Sequence, residues 1–346
     1  MISQFRKFDS RTASPSRMLR ICMMSGAELA AVPVEEVISV REVKRLLHQQ
    51  HGLPPRFRQR LVLNGASLDD ADELASPQDL ELVVLPFCNA SVQQVYEFRA
   101  AAGDGLVQQV ESMLQLPLDP SVFVPGRSPL LHAAANGHVE VVRLLAEAGA
   151  DVNAALMMEA GNGRVEVVRL LVEAGGDQHA VAYDGMTALM TAAANGHAKV
   201  VRLLEESGSD KDLGANSGMT ALMMAAGNGH VEVVRLLVGA GADKDMGANN
   251  GTTALMMAAV DGHVEVVRLL VEAGADKDVA AKNGKTALTM ATANGHVEVV
   301  RLLMQAGADK HVANDALTSR MFADGSHAEA ALLLSEPATK RRRLVP

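Results

Sequence analysis

The amino-acid sequence predicts two structural parts, a small α+β domain near the N-terminus and an all-α solenoid of repeated helix pairs behind it. Short alternating apolar stretches surround one helical segment between residues 18 and 87, which predicts the first part. Glycines recur at intervals of 33 residues from Gly163 to Gly295, and a fixed period of this length is typical of a stacked repeat array.

Composition limits the class of protein. Hydrophobic residues make up 48% of the chain and charged residues 21%, which favours folded, core-forming domains over disorder. Two cysteines, Cys22 and Cys88, are too few for a disulfide framework, and no apolar stretch approaches the roughly 20 residues of a membrane span. The net charge of −9 argues against nucleic-acid binding. We therefore expect a reducing compartment, cytoplasmic or nuclear, with no membrane or nucleic-acid partner.

The α+β domain is predicted to begin with a hairpin. Leu19 and Ile21 alternate with polar positions, Gly26 supplies a turn, and Leu29 and Ala31 form the apolar positions of the second strand.

A helix is predicted to start after Ser39, because Ser39 and Glu42 have the spacing of a capping box. Gly52 can end it in a left-handed conformation, and the prolines that follow cannot continue it. The apolar residues at helical spacing are Val40, Val43, Leu46 and Leu47.

Two further strands complete the predicted domain. The first covers residues 61–63 and leads into Asn64-Gly65, a dipeptide that favours a tight turn, and the last strand covers residues 80–85. This part closely resembles ubiquitin over about 70 residues. The matching stretches are Val43-Lys44, Gly52-Leu53-Pro54-Pro55, Gln59-Arg60-Leu61-Val62-Leu63-Asn64-Gly65 and Leu68-Asp69-Asp70.

The resemblance implies a β-grasp fold and places Met24, Val62 and Val83 where ubiquitin carries its exposed hydrophobic recognition patch. Two departures matter. Glu81 replaces a patch histidine, which weakens the expectation of binding to ubiquitin receptors, and the chain continues through Pro86-Phe87-Cys88 without a terminal Gly-Gly, so conjugation is not expected.

The repeats behind this domain are nearly identical to one another. Two successive copies read GMTALMMAAGNGHVEVVRLLVGAGADKD, from Gly218, and GTTALMMAAVDGHVEVVRLLVEAGADKD, from Gly251. These copies closely resemble the ankyrin repeat, which implies helix pairs joined by β-turn fingers.

Each copy predicts one inner and one outer helix. The inner helix begins at Thr220 and carries small residues that allow close approach of neighbours, and Asn228-Gly229-His230 reverses the chain. The outer helix has an apolar face that one repeat cannot bury alone, so stacking on both neighbours must stabilise it. The residues of that face are Val231, Val233, Val234, Leu236 and Leu237.

We predict this domain organisation: a disordered leader (1–17), the ubiquitin-like domain (18–87), a linker (88–91), the ankyrin-repeat domain (92–334) and a basic disordered tail (335–346). The repeat domain comprises an opening repeat near Val92–Asp119, six recognisable repeats and a degenerate C-terminal cap from Asn314 to Leu334. The leader has a second interpretation as an organelle transit peptide, because Asp9 is its one acidic residue.

Two departures from the ankyrin pattern stand out. Met190, Met223, Met256 or Thr289 occupies the place of the usual histidine, so the customary Thr–His hydrogen bond cannot form and a softer array is expected. In the second recognisable repeat the finger loop is missing, since Gly137 and Gly163 lie only 26 residues apart. Either the array lacks one finger there or the deletion is a gene-model error.

No residue pattern indicates an enzyme, a cofactor site or a metal site. Five histidines occupy one repeat position and are expected to be turn residues, too far apart to share a metal ion; they are His138, His197, His230, His263 and His296. Asp-Lys-Asp triplets from Asp210, Asp243 and Asp276 lack the remaining ligands of a calcium loop.

The ankyrin resemblance implies that a protein partner lies on a concave face of finger tips and inner helices. Corresponding positions on this face differ between copies, which indicates either a readable binding surface or drift at exposed sites. The predicted partner-binding residues are, on the fingers, Tyr183, Asn216, Asn249, Lys282, Met186, Met219, Thr252 and Lys285, and, on the inner helices, Thr191, Met224, Met257 and Met290.

Tyr183 is the strongest single candidate, since tyrosine is enriched among residues that dominate binding energy. Between residues 124 and 314 acidic residues outnumber basic ones by 22 to 15, which mildly favours a basic partner surface.

Two function classes remain open, and both predict a monomeric, non-enzymatic protein. The first is an interaction scaffold that binds a client protein through the repeats. The second is a ubiquitin-pathway adaptor that docks a ligase or the proteasome through the N-terminal domain. The basic run Lys340, Arg341, Arg342, Arg343 is either a nuclear-import signal or a solubilising terminus.

Overall fold

The computed structural model describes residues 18–34, 37, 39–88, 90–116, 118–121 and 128–310. The predicted leader, C-terminal cap and basic tail lie outside these residues. Tertiary contacts divide the chain into two compact units, Met1–Asp151 and Val152–Pro346. None of the described helices is long and apolar enough to cross a membrane.

The first unit begins with a mixed five-stranded sheet. Its strands are β1 (Met18–Met23), β2 (Glu28–Pro33), β3 (Gln59–Leu63), β4 (Ala66–Ser67) and β5 (Asp79–Val84). Their spatial order is β2-β1-β5-β3-β4, and the central pair of β1 and β5 is parallel while the other pairs are antiparallel. At the β3–β4 turn, Asn64 and Gly65 both have positive φ, as the Asn-Gly pair predicts.

One face of the sheet packs on helix α1 (Val40–His51). The predicted capping box is confirmed, since Ser39 Oγ accepts from the Glu42 amide and the Glu42 carboxylate accepts from the Ser39 amide. Gly52 ends the helix with φ 64°, as predicted. The buried core combines this helix with the strands, and its fully buried members include Leu19, Ile21, Val43, Leu47, Leu61 and Leu80.

The expected apolar phase of the second strand is wrong for Ala31. A bulge changes the register between β1 and β2, so that Ile21 pairs with Ala30 whereas Cys22 pairs with Glu28. Cross-strand partners share a face of the sheet, so Ala30 faces the core with Ile21, and Ala31 lies opposite Arg20 on the exposed side.

Helix pairs follow the sheet in the first unit and form the described part of the second unit. In the first unit they are α2 (Val92–Gly103), α3 (Val107–Gln115), α4 (Pro129–Asn136) and α5 (Val139–Glu147). In the second unit they are α6 (Asn153–Asn162), α7 (Val165–Glu173), α8 (Ala188–Ala194), α9 (Ala198–Glu206), α10 (Ala221–Gly227), α11 (Val231–Gly239), α12 (Ala254–Asp261), α13 (Val264–Glu272), α14 (Ala287–Ala293) and α15 (Val297–Gln305).

Each regular inner helix of the second unit begins at a buried threonine cap. Thr220 is 2% exposed, and its hydroxyl accepts from the amide of Met223, which is itself 1% exposed. The methionine therefore fills the place of the missing histidine by packing. Thr289 provides a polar alternative, because its Oγ1 accepts from the Thr286 amide at 2.8 Å and completes a capping box.

Each of the outer helices α5, α7, α9, α11, α13 and α15 buries two valines and either one or two leucines. In α11, Val233, Val234 and Leu237 are buried, whereas Val231 and Leu236 are only partly buried. Burial of a valine or leucine side chain contributes about 1.5–3 kcal/mol, so these positions dominate the stacking energy. The Glu232 and Arg235 side chains lie 3.8 Å apart and are both well exposed, so their ion pair contributes only about 0.2–0.5 kcal/mol.

Histidines of the regular repeats lie against the turn of the preceding repeat. His263 Nε2 donates to the carbonyl of Gly227 at 2.8 Å, and His230 Nε2 donates to that of Ala194 at 3.0 Å. A Cβ added at Gly229 would lie 2.7 Å from His263 Nδ1, and Gly229 itself has φ 73°. The histidine thus links two repeats, a role that goes beyond the expected turn residue.

The helix pair without a finger differs from the regular pairs at its N-cap and at residues 159 and 164. Helix α6 starts directly after Val152, which has no capping side chain. Glu159 occupies the place of an alanine such as Ala192, and Arg164 occupies the place of the linking histidine. Glu159 is fully buried, and its Oε2 lies 3.4 Å from Arg164 Nη1.

We predict that Gly229→Ala destabilises the array by at least about 1–2 kcal/mol, because alanine strongly disfavours positive φ and its Cβ would displace the His263 ring. The matched control is Gly239→Ala, where an added Cβ meets nothing within 4 Å. Urea midpoints of the two variants should move in opposite directions, since alanine favours a helix over glycine. Equal midpoints would contradict the proposed fit of glycine and histidine.

Candidate interaction surfaces

The predicted finger residues of the second unit form a row of β-turn hairpins. Each hairpin is closed by backbone hydrogen bonds, as between the Ala215 amide and the Met219 carbonyl at 2.9 Å. Neighbouring hairpins are joined as well, because the Asn249 amide donates to Ser217 and the Lys282 amide donates to Asn250, both at 2.9 Å. These bonds fix the order and spacing of the tips. We call residues 180–187, 213–220, 246–253 and 279–286, with the inner-helix side chains beside them, the finger face.

The tip residues of the finger face differ in exposure and in whether their side chains already form hydrogen bonds. Tyr183 is fully exposed, and Lys282 and Lys285 are exposed as well. The side-chain amide of Asn216 donates to the backbone carbonyl of Tyr183 at 2.9 Å, and the side-chain amide of Asn249 donates to that of Asn216 at 2.8 Å. The two asparagines therefore hold neighbouring fingers together, which sequence reasoning missed.

Inner-helix candidates are partly covered. Thr191 donates its hydroxyl to the Thr187 carbonyl at 2.9 Å, Met224 is only 8% exposed, and Met257 and Met290 are partly buried. Met186, at the second finger position, is partly buried too. Four of the predicted residues come together around one cleft of about 280 Å³ between two neighbouring fingers; they are Met219, Asn249, Thr252 and Met257.

The exposed face of the N-terminal sheet carries the other predicted residues. Val62 on β3 and Val83 on β5 are half-buried diagonal neighbours, and Met24, which is 74% exposed, follows directly after β1. Glu81 pairs with Val62 on one side and with Cys22 on the other. A carboxylate therefore lies in the middle of this apolar area.

An arginine joins the sheet to the helix pairs inside the first unit. The side chain of Arg56 is 1% exposed, and its guanidinium contacts three carboxylates. Nε lies 2.9 Å from Glu147 Oε2, Nη2 lies 3.3 Å from Glu111 Oε1, and Nη1 contacts Asp70. Glu111 belongs to α3 and Glu147 to α5, so one side chain connects three separate parts of the unit.

Three more cations of the sheet domain complete this ion cluster. Lys44 pairs with Asp70 at 2.7 Å, Arg41 with Glu111 at 3.0 Å, and Arg45 with Glu147 at 2.5 Å. Burial alone would raise the pKa of Asp70, but hydrogen bonds and attraction from Lys44 and Arg56 outweigh it and hold the pKa below its ordinary value. Asp70 is therefore ionised at neutral pH.

A partly buried carboxylate lies on an outer helix of the second unit. Glu205 stands where other repeats have Val172, Val238 and Val271, and burial raises its pKa although Lys211 and Arg202 oppose this. Within residues 128–310, Glu159 Oε2, Glu205 Oε1 and Ser209 Oγ are buried without a hydrogen-bond partner. Such groups destabilise a folded protein.

The aspartates at the finger bases have structural partners. Asp210 Oδ1 accepts from the Asp212 amide at 3.0 Å, and Asp212 Oδ1 accepts from the Asp243 amide of the next repeat at 2.8 Å. In the part of the chain that the structure describes, no three metal-ligating side chains are grouped in a way that could hold an ion.

Family models of the ankyrin repeat match more than half of the chain. One, described as ankyrin repeats in three copies, matches residues 156–248 and 240–314, and a second, described as the ankyrin repeat, matches residues 126–156. No family model matches the N-terminal sheet, and a search of curated proteins finds no significant match.

We predict that Arg56→Met destabilises the first unit by about 3–5 kcal/mol, because it leaves three carboxylates without their shared cation. The control is Arg20→Met, whose exposed pair with Asp79 contributes no more than about 1 kcal/mol. Hydrogen exchange, followed peptide by peptide, should rise across residues 40–63 and 107–115 only in the Arg56 variant. Equal exchange in both variants would mean that the cluster does not hold these elements together.

We predict a pH-dependent penalty from Glu205. A raised pKa means that the folded state binds the proton more tightly, so stability falls as pH rises from the ordinary carboxyl range, near 4.3, through the raised value. Glu205→Gln should therefore raise the urea midpoint at pH 7 more than at pH 4.5. Glu272→Gln, at the exposed position in another repeat that corresponds to Glu206, is the control, and an identical response of both variants would refute the prediction.

Proposed function

Because this chain belongs to the ankyrin-repeat proteins, we propose that it is a non-enzymatic scaffold that binds a client protein through its finger face. Ankyrin repeats generally mediate protein–protein interaction, and no catalytic family matches the chain. The residues of the finger face then present a set of different side chains to the client protein at fixed spacing.

The contrast between buried and exposed positions carries this proposal. The capping threonines at 187, 220, 253 and 286 are identical and buried. The finger tips that these caps position vary in chemistry. Tyr183 is aromatic and Lys282 is a cation, whereas Asn216 and Asn249 are amides that bond to the neighbouring finger. A scaffold that reads a partner needs such constancy inside and variety outside.

Affinity purification with mass spectrometry tests the proposal on the full chain. The variant Tyr183→Ala with Met219→Ala should lose a subset of the proteins that the wild type captures, since truncation of a central aromatic side chain typically costs more than about 1 kcal/mol of binding energy. The control Glu232→Ala alters an exposed outer-helix residue and should capture the same set. Identical sets from all three proteins would contradict binding at the finger face.

A second function rests on the N-terminal sheet, which we propose to be a ubiquitin-like β-grasp domain. The mixed sheet order, with its parallel pair of β1 and β5 and with α1 between β2 and β3, supports that fold. The grouping of Met24, Val62 and Val83 on the exposed face supports a role as an adaptor that docks a ligase or the proteasome.

Pull-down of proteasome receptor subunits by the full chain tests the adaptor. Val62→Ala should reduce capture, because Val62 is half-buried in the middle of the apolar area. Glu81→His should increase it, because it removes the carboxylate opposite Val62. Glu28→Ala, exposed at the start of β2, is the control. Absence of capture by the wild type and by Glu81→His would exclude these receptors as partners.

For localisation we propose the cytoplasm or the nucleus. The basic run from Lys340 to Arg343 supports nuclear import, and it lies outside the described residues.

A further inference from the structure

The cleft between two neighbouring fingers has mainly apolar walls. Met219 and Ala248 come from the two fingers, Met223 forms the floor, and Met257 forms the wall on the next inner helix. Met223 is 1% exposed and belongs to the core, whereas Met219 and Met257 are partly exposed. The volume of about 280 Å³ is large enough for one apolar side chain. Thioether side chains are flexible, so such a cleft can adapt to several shapes.

The polar rim of the cleft leads directly to two cations. Asn250 lines the cleft, and its carbonyl accepts from the Lys282 amide of the next finger at 2.9 Å. Lys285 lies on the same finger, and both lysines are exposed. Within residues 128–310, neither ammonium group forms an ion pair with a carboxylate. Two unneutralised positive charges therefore lie one finger away from the apolar cleft.

The local charge beside the cleft differs from the overall acidic charge of the array. Outer-helix carboxylates such as those of Glu232, Glu265 and Glu298 are more than half exposed on the outer helices, away from the finger tips. On the fingers themselves the charge changes along the row, from Asp184 on one finger, through uncharged tips, to Lys282 and Lys285. The net charge therefore predicts a basic partner, whereas the local charge beside the cleft fits an acidic one.

We propose that the cleft binds one apolar side chain of an extended segment in a partner protein, and that an acidic residue of the same segment pairs with Lys282 and Lys285. This inference rests on the proposed scaffold function and specifies what the finger face recognises. Apolar burial supplies most of the affinity, and the lysines select the direction and charge of the segment.

The spacing within that segment follows from the geometry of the array. Packed helices lie about 8–10 Å apart, so successive fingers are separated by a similar distance. An extended chain rises about 3.3 Å per residue, and a lysine side chain adds several ångströms of reach. The acidic residue is therefore expected about two to four positions from the apolar one.

Selection from a phage-displayed library of random twelve-residue peptides tests the proposal, with the immobilised full chain as target. Enriched peptides should share an apolar residue and an Asp or Glu two to four positions away. The dissociation constant of the most enriched peptide is then measured by fluorescence polarisation. Met257→Ala should raise it about ten-fold, as expected for loss of one buried apolar contact. Lys282→Glu should raise it about three- to ten-fold, with a smaller effect at high salt.

Two matched variants control for general damage to the fold. Met113→Ala removes a partly buried methionine of α3 in the first unit, and Lys199→Glu reverses an exposed charge on an outer helix. Both should leave peptide binding unchanged, and thermal unfolding should show all four variants folded at the assay temperature.

Several outcomes would overturn the proposal. These are enrichment of basic peptides, no enrichment above the bare support, or equal binding to Met257→Ala and wild type. A dimer in sedimentation that Met257→Ala dissociates would mean that a second copy occupies the cleft. Capture of client proteins that depends on Tyr183 but not on Met257 would refute the cleft while leaving the scaffold function intact.

Discussion

The fit of each histidine over the turn of the preceding repeat is the contact on which the array depends. Gly229 can adopt its left-handed conformation and leaves room for the His263 ring, and that ring bonds to the carbonyl of Gly227. Because the same contact recurs with one geometry, successive helix pairs stack at one spacing. The fingers then come close enough for the amide of Asn249 to reach Ser217, so the spacing of the finger face follows from a partly buried contact at the opposite end of the inner helices.

Charge acts differently in the two parts of the molecule, and burial explains the difference. The outer-helix pairs at 3.4–3.8 Å are exposed on both sides, so water competes with them and they contribute little. Arg56 is almost completely buried, and removal of this one cation would leave Asp70, Glu111 and Glu147 each with one cationic partner fewer. The first unit is therefore specified by few charges with large individual effects, whereas the array is specified by many apolar contacts.

Local features of the fold could be predicted from sequence because short-range chemistry determines them. The capping box at Ser39, the Asn64-Gly65 turn and the threonine caps each depend on residues within four positions. Features that depend on distant residues could not be predicted. The partners of Arg56 lie 55 and 91 residues further along the chain, and a bulge reverses the facing of Ala31. The cleft was only partly predictable, since sequence identified Met219 on a finger and Met257 on an inner helix as candidate partner-binding residues without showing that they meet.

The side chains of the repeat without a finger bear on whether the deletion is genuine or a gene-model error. A gene-model error that removed seven residues would leave the two helices unchanged. Instead the same repeat has exchanged an inner-helix alanine for Glu159 and the linking histidine for Arg164, and the two new side chains pair at 3.4 Å with the carboxylate fully buried. A buried glutamate is destabilising without a polar partner, so Glu159 alone would be costly, whereas Arg164 is partly exposed. Two complementary changes in this one repeat favour a genuine loss of the finger over a gene-model error.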